Sequence, residues 1–216
     1  MAHHETFHWE ETHGLLEELG DEHGLEVRPG EGCFLGDGVR VTPPLVQPIA
    51  ATCGSLGEFL DELPLDLGRH LVVLMQAGAT ALGLFEAGLE VRTKSFKRYV
   101  VRGTGRSQTT HLKTRGKSRY GSRLRLQNAQ LMLDETAERI RDWAAEYGEP
   151  ERVFYGAPVR LWADLVRTSP PPPFAPGGPL ESTLVRIPLD LPVPTTAVML
   201  RTYRALCHGR VEHLDE

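Results

Sequence analysis

One stretch of this sequence concentrates the residues that can act on a polyanion. Twelve Lys and Arg fall between Arg92 and Arg125, and no acid occurs from Val91 through Leu133. The rest of the chain carries 12 basic against 29 acidic residues, so a strongly cationic segment sits on an acidic body. Segregation of this kind is the footprint of a local phosphate contact, because counterion release rewards the basic patch while the acidic remainder discourages indiscriminate sticking. Within the segment lies a Gly-, Ser- and Thr-rich run with one neutral amide, Gln108, in Gly105-Arg106-Ser107-Gln108. An amide both donates and accepts hydrogen bonds, so it can position a water, but near neutral pH it cannot serve as a general base.

Other chemistries find less support. Cys33, Cys53 and Cys207 are odd in number, scattered and free of C-x-x-C spacing, which points to small core side chains and away from a disulfide framework or a structural zinc site. The histidines His3, His4, His8, His13 and His23 lack any confirming ligand pattern. There is no G-x-S-x-G elbow, and His111 with Ser107 or Ser118 has no orienting carboxylate nearby. Gly116-Lys117-Ser118 imitates the end of a P-loop, but His111 stands where the first glycine is required. Two-metal phosphodiester cleavage needs several carboxylates at one sheet edge. The strand candidate Leu71 to Gln76 has none, and Glu86 and Glu90 fall at turns.

The elements that must hold the cationic segment are legible from periodicity. His70 to Gln76, Ala79 to Glu86 and Leu89 to Arg102 are extended runs separated by Ala77-Gly78 and Ala87-Gly88, which predicts a three-stranded antiparallel meander. Gly103 to Gly121 reads as a long mobile loop. Leu126, Ala129, Leu133, Ala137, Ile140, Ala144 and Tyr147 then recur at three- and four-residue steps, defining one apolar helix face that ends at Gly148. A strand over Arg152 to Ala157, a helix over Pro158 to Val166, an extended Pro-rich spacer over Thr168 to Gly178 and a strand over Leu184 to Leu189 follow. Thr195 or Thr196 caps a closing helix that runs to about Cys207.

Strands first and alternation afterwards predict an α/β mixed sheet with helices packed on it, a layout compatible with an RNase H-like fold. Ahead of it the sequence reads as a short helix stopping near Gly20, a loop with strand fragments over Gly30 to Pro48, and a helix opened by the capping box Ser55-Leu56-Gly57-Glu58. Two regions are therefore expected, a helical and loop-rich extension over 1–64 and a catalytic domain over 65–216. The composition, 40% hydrophobic and 25% charged, excludes a wholly disordered chain. The longest apolar-leaning run, Leu71 to Phe85, is too short and too broken to cross a bilayer, and no basic-then-apolar leader opens the chain. A cytoplasmic location is expected.

The run Arg98-Tyr99-Val100-Val101-Arg102, the tetrad ending at Gln108 and the stretch Lys113-Thr114-Arg115-Gly116-Lys117-Ser118-Arg119-Tyr120-Gly121-Ser122-Arg123-Leu124-Arg125 together resemble the bacterial branch of the Vms-like release factors, the VLRF family. The resemblance covers the chain from about Arg69 onward. The family's catalytic domain is similar to the middle domain of the eukaryotic and archaeal peptide chain release factor. The resemblance thus implies an RNase H-like mixed sheet flanked by helices, without nuclease carboxylates. It also implies a codon-independent peptidyl-tRNA hydrolase that frees nascent chains on stalled large ribosomal subunits. Its partners would be peptidyl-tRNA and rRNA, with no metal, no other cofactor and no membrane, and the chain would act as a monomer.

Matched by position, Gln108 falls on the family's catalytic glutamine, with Gly103, Gly105, Arg106 and Ser107 in the catalytic loop. Lys113, Arg115, Lys117, Arg119, Arg123 and Arg125 fall on the basic stretch that follows the tRNA acceptor end. Arg106 and Ser107 stand where other members have a double glycine. The rival reading is a non-catalytic accessory module that docks on tRNA or rRNA through the same loop, and a metal-dependent nuclease is a third.

Overall fold

The computed structural model describes residues 4–98 and 117–214, with backbone alone for residues 117–122. In chain order the elements are β1 (His4–His8), α1 (Thr12–His23), β2 (Glu26–Arg28), β3 (Cys33–Gly36), β4 (Val39–Thr42), α2 (Leu56–Asp61), β5 (Arg69–Gln76), β6 (Ala79–Glu86), β7 (Leu89–Lys97), α3 (Lys117–Tyr147), β8 (Arg152–Gly156), α4 (Val159–Leu165), β9 (Leu184–Arg186), α5 (Thr196–Leu206) and β10 (His208–His213). They form two compact units, residues 1–67 with 201–216, and residues 68–200.

The first unit is more strand-rich than a helical, loop-rich extension. Its five-stranded sheet has the order β1-β10-β4-β3-β2, with every neighbouring pair antiparallel. Strand β10, in a stretch placed by sequence with the second region, pairs with β1 and β4 instead, so the two chain ends share this sheet. Phe7, Leu16, Phe34, Val39, Val41, Phe59 and Val211 are among the buried side chains that make its core. Helix α1 passes Gly20 and stops at Gly24, whose φ of 62° supplies the left-handed residue that closes a helix. Gly20 lies inside the helix because a Cβ there would stand 2.5 Å from Leu56 Cδ2. At α2 the predicted cap forms, with Ser55 Oγ accepting from Glu58 N at 3.1 Å.

The second unit carries a mixed sheet of order β7-β6-β5-β8-β9. Strands β5, β6 and β7 form the expected antiparallel meander, while β8 joins β5 and β9 joins β8 in parallel. On one face Leu71, Val73, Met75, Leu82 and Leu84 meet Met132, Leu133, Ala137, Ile140 and Trp143 of α3. The other face is closed at Gly83, where a Cβ would lie 2.2 Å from Met199 Sδ of α5. This double burial explains why β5 and β6 read as continuous apolar runs rather than as alternating ones.

Two expectations are corrected in this unit. Helix α3 begins at Lys117, within the stretch read as loop, because the apolar face downstream nucleates a helix that then propagates at little further cost. The Pro-rich segment is not an extended spacer. Phe174 is fully buried within it and stacks on Trp162, with ring centroids 5.0 Å apart. All three cysteines are free and buried, and burial pushes the Cys207 thiol up to about 11. Among the described residues no helix is long and apolar enough to cross a membrane.

Candidate nucleic-acid interface

The direction of the strands decides where the cationic segment leaves the second unit. Strand β7 runs with β5, β8 and β9, so the carboxyl ends of all four lie at one end of the sheet. Register places Lys97 opposite Ala79, and Ala79 opposite Gln76. The chain therefore enters residues 99–116 from that end and returns into α3.

Gly103, Gly105, Arg106, Ser107, Gln108, Lys113 and Arg115 lie outside the described residues. What is described is the frame on either side. Arg98 N donates to Gly78 O at 2.9 Å, and Arg98 Nη2 donates to Glu135 Oε2 at 2.6 Å, fastening the foot of the segment to both the β5–β6 turn and α3. A buried polar seam sits beside it. Thr136 Oγ1 donates to Met132 O at 2.7 Å and lies 3.5 Å from Thr80 Oγ1. The Arg98–Glu135 pair went unseen in the sequence, because an ion pair across 37 positions leaves no local pattern.

Helix α3 changes character along its length. Its distal end reaches the opposite end of the sheet, where Gly148 closes it with a φ of 90° and a Cβ there would stand 2.6 Å from Arg69 Nη1. From Met132 onward one face is buried in the core. Among residues 123–131 none is buried, and Leu126, placed by periodicity on the apolar face, is 70% exposed. Lys117 lies about 22 Å along the helix axis from Met132, at the usual rise per residue. The helix thus continues past the sheet as an arm. Lys117 and Arg119 lie in its backbone, Arg123 is exposed and Arg125 is half-buried. No acid precedes Asp134 on this arm, and the acidic residues of α3 all follow on its packed half.

The same end of the sheet holds a cleft between the ends of β5, β8 and β9 and the segment that follows β9. Leu74, Met75, Gln76, Gly156, Pro158, Arg186, Ile187, Asp190 and Leu191 are among its walls. Gln76 Nε2 donates to Leu191 O at 2.6 Å and holds that segment across the opening. Sequence reading did not single out this site, since it joins positions about a hundred residues apart.

One further titratable group belongs to β5 itself. His70 is 1% exposed, edge-on to Phe154 at 5.1 Å between ring centroids. Burial first, and then the nearby Arg152 charge, lower its pKa to about 4. It serves as a neutral packed residue and lies away from the cationic arm. Among the described residues, no group of three or more His, Cys, Asp or Glu is placed to hold a metal ion.

A mixed sheet with the meander first and parallel strands after it, packed against helices, defines an α/β domain. The fold is similar to that of a solved structure, the Vms1 mitochondrial localization core, with a TM-score of 0.51 at 11% identity, covering 91% of this chain and 81% of that one. Comparison with curated protein sequences gives no match. Residues 70–214 match the family of the Bacteroidetes VLRF1 release factor, and the chain belongs to that family.

Proposed function

We propose that this protein is a codon-independent peptidyl-tRNA hydrolase that frees nascent chains from tRNA on stalled large ribosomal subunits. The observation that carries the reading is the release factor family match, which runs from residue 70 to 214 and so includes the segment bearing Gln108. The fold is consistent with it, because the end of β7 and the cation-rich start of α3 flank residues 99–116 in the sequence, and β7 ends with the carboxyl ends of β5, β8 and β9. In this reading the cations of the arm and loop meet tRNA and rRNA phosphates, each contact weakening with salt. The Gln108 amide orients water against the ester. Most of the rate gain comes from proximity and from donors aimed at the developing oxyanion, with the substrate ribose hydroxyl and rRNA completing the site. Gly103 and Gly105 let the backbone enter a narrow RNA channel, and Arg106, Lys113, Arg115, Lys117, Arg119, Arg123 and Arg125 grip phosphate. The protein works in the cytoplasm as a monomer.

The deciding experiment is a peptide-release assay on purified stalled large subunits. Gln108→Ala is expected to slow release about 100-fold or more while leaving subunit association unchanged. Release at the wild-type rate by that variant removes Gln108 from the mechanism. Tight subunit binding with no release by the wild type establishes the accessory-module reading in its place.

A further inference from the structure

The cleft at the carboxyl ends of β5, β8 and β9 has the position and lining of a ligand site. In the sheet order β7-β6-β5-β8-β9 the chain turns to one side of β5 for the meander and to the other for β8. The cleft therefore opens where the strand order reverses, beyond the carboxyl ends, which is where open α/β sheets bind ligands. Its volume is about 490 Å³, within the range of sites that take a small organic molecule.

The lining narrows the ligand class. Leu74, Ile187 and Leu191 with Pro158 and Pro194 offer flat apolar surfaces suited to the face of a ring. Arg186 is the one cation among the lining residues and Asp190 the one carboxylate, and neither side chain makes an ion pair or hydrogen bond among the described residues. Gln76 spends its Nε2 on Leu191 O, which leaves its side-chain oxygen as an acceptor. A single guanidinium suits one phosphate group, whereas a di- or triphosphate calls for a glycine-rich cradle or a magnesium site. A carboxylate accepts from ribose hydroxyls, as it does in dinucleotide-binding folds. One phosphate, one sugar and one ring make a nucleotide unit.

On these grounds we propose that this cleft binds one unpaired nucleotide of an RNA strand, with Arg186 on the phosphate and Asp190 on the ribose hydroxyls. The proposal rests on the reading of the chain as a protein that acts on RNA, and it adds a second contact point at the sheet end from which the Gln108 segment departs. Unpaired nucleotides are the part of RNA that proteins read by stacking and by edge contacts, and the 2′-hydroxyl is what separates RNA from DNA at such a site.

The test is a titration of the full-length protein with the trinucleotide CCA, followed by amide NMR shifts. CCA is expected to shift Ala77, Gly156 and Ile187. Arg186→Glu is expected to weaken that response about tenfold, and Asp190→Asn to abolish the preference for CCA over its deoxy counterpart. Both side chains are exposed, so these variants fold. Shifts absent from the cleft, or shifts that both cleft variants leave unaltered, each overturn the proposal. A silent cleft in a protein that still releases peptide refutes this inference alone. A responsive cleft in a protein that releases nothing refutes the hydrolase reading alone.

Discussion

The two halves of α3 share one backbone and one continuous hydrogen-bonded ladder, yet they answer to different demands. From Met132 to Tyr147 the helix is held by the sheet, with Ala137 and Ile140 almost fully buried and Asp134, Glu138, Asp142 and Glu146 exposed. From Lys117 to Leu131 it leaves the sheet, keeps only cations, and exposes Leu124, Leu126 and Leu131. A side chain in the packed half acts through the stability of the second unit. A side chain in the arm acts through what the arm meets.

That contrast can be broken most forcefully by a matched pair of truncations. Ile140→Ala should destabilise the fold by about 2–5 kcal/mol. Leu126→Ala, on the same stripe by periodicity, should stay within about 0.5 kcal/mol. Chemical denaturation of both variants measures the difference, and equal losses would show the arm to be as packed as the rest.

Acid provides the next largest effect, and it belongs to the packed region. The pKa of His70 is lowered from 6.5 to about 4 in the fold. The folded state therefore favours the neutral ring, so its contribution is complete above pH 6.5 and is lost as pH falls toward 4. The shift corresponds to roughly 3 kcal/mol. Denaturation midpoints followed from pH 7 to 4 should decline in that window, and His70→Leu should flatten the decline.

The arm should respond in the opposite manner. Arg123→Gln with Arg125→Gln is expected to leave the melting temperature nearly unchanged while lowering RNA affinity about tenfold and reducing the log–log salt slope by about 1.5. Filter binding across a salt series reads both. The smallest effect falls at the junction, where Glu135→Gln removes the charge facing Arg98. This half-exposed pair should contribute no more than about 1 kcal/mol, and the sharper readout is peptide release, which should slow as the foot of the Gln108 segment loosens.

Legibility in the sequence followed how local each signal is. The meander was readable because Ala77-Gly78 and Ala87-Gly88 punctuate two apolar runs and a third extended one, and the strands end within a residue of those turns. The helix stripe was readable from Leu133 to Tyr147, but periodicity has no term for where a sheet ends, so Leu126 was assigned to a core it never reaches. Strand β10 escaped notice because its partners in β1 and β4 lie far away in the chain. Phe174 was lost among prolines, although its own bulk draws that segment into the core. Of the candidate site, the cationic composition was plain, while the Arg98–Glu135 fastening and the cleft depend on distant positions brought together by strand order.

The charge arrangement along α3 also runs against the helix's own electric dipole. No acid occupies its first turn, where the amino terminus is positive, and no base occupies its last turn, where the carboxyl terminus is negative. The sequence of the first turn is basic, and Glu146 stands at the negative pole, where a carboxylate is disfavoured by about 0.3–1 kcal/mol at low ionic strength. The helix is therefore held in an electrostatically unfavourable state until a polyanion lies against its start, and docking such a strand should strengthen the first turns of α3 against fraying, a gain visible as slower amide exchange.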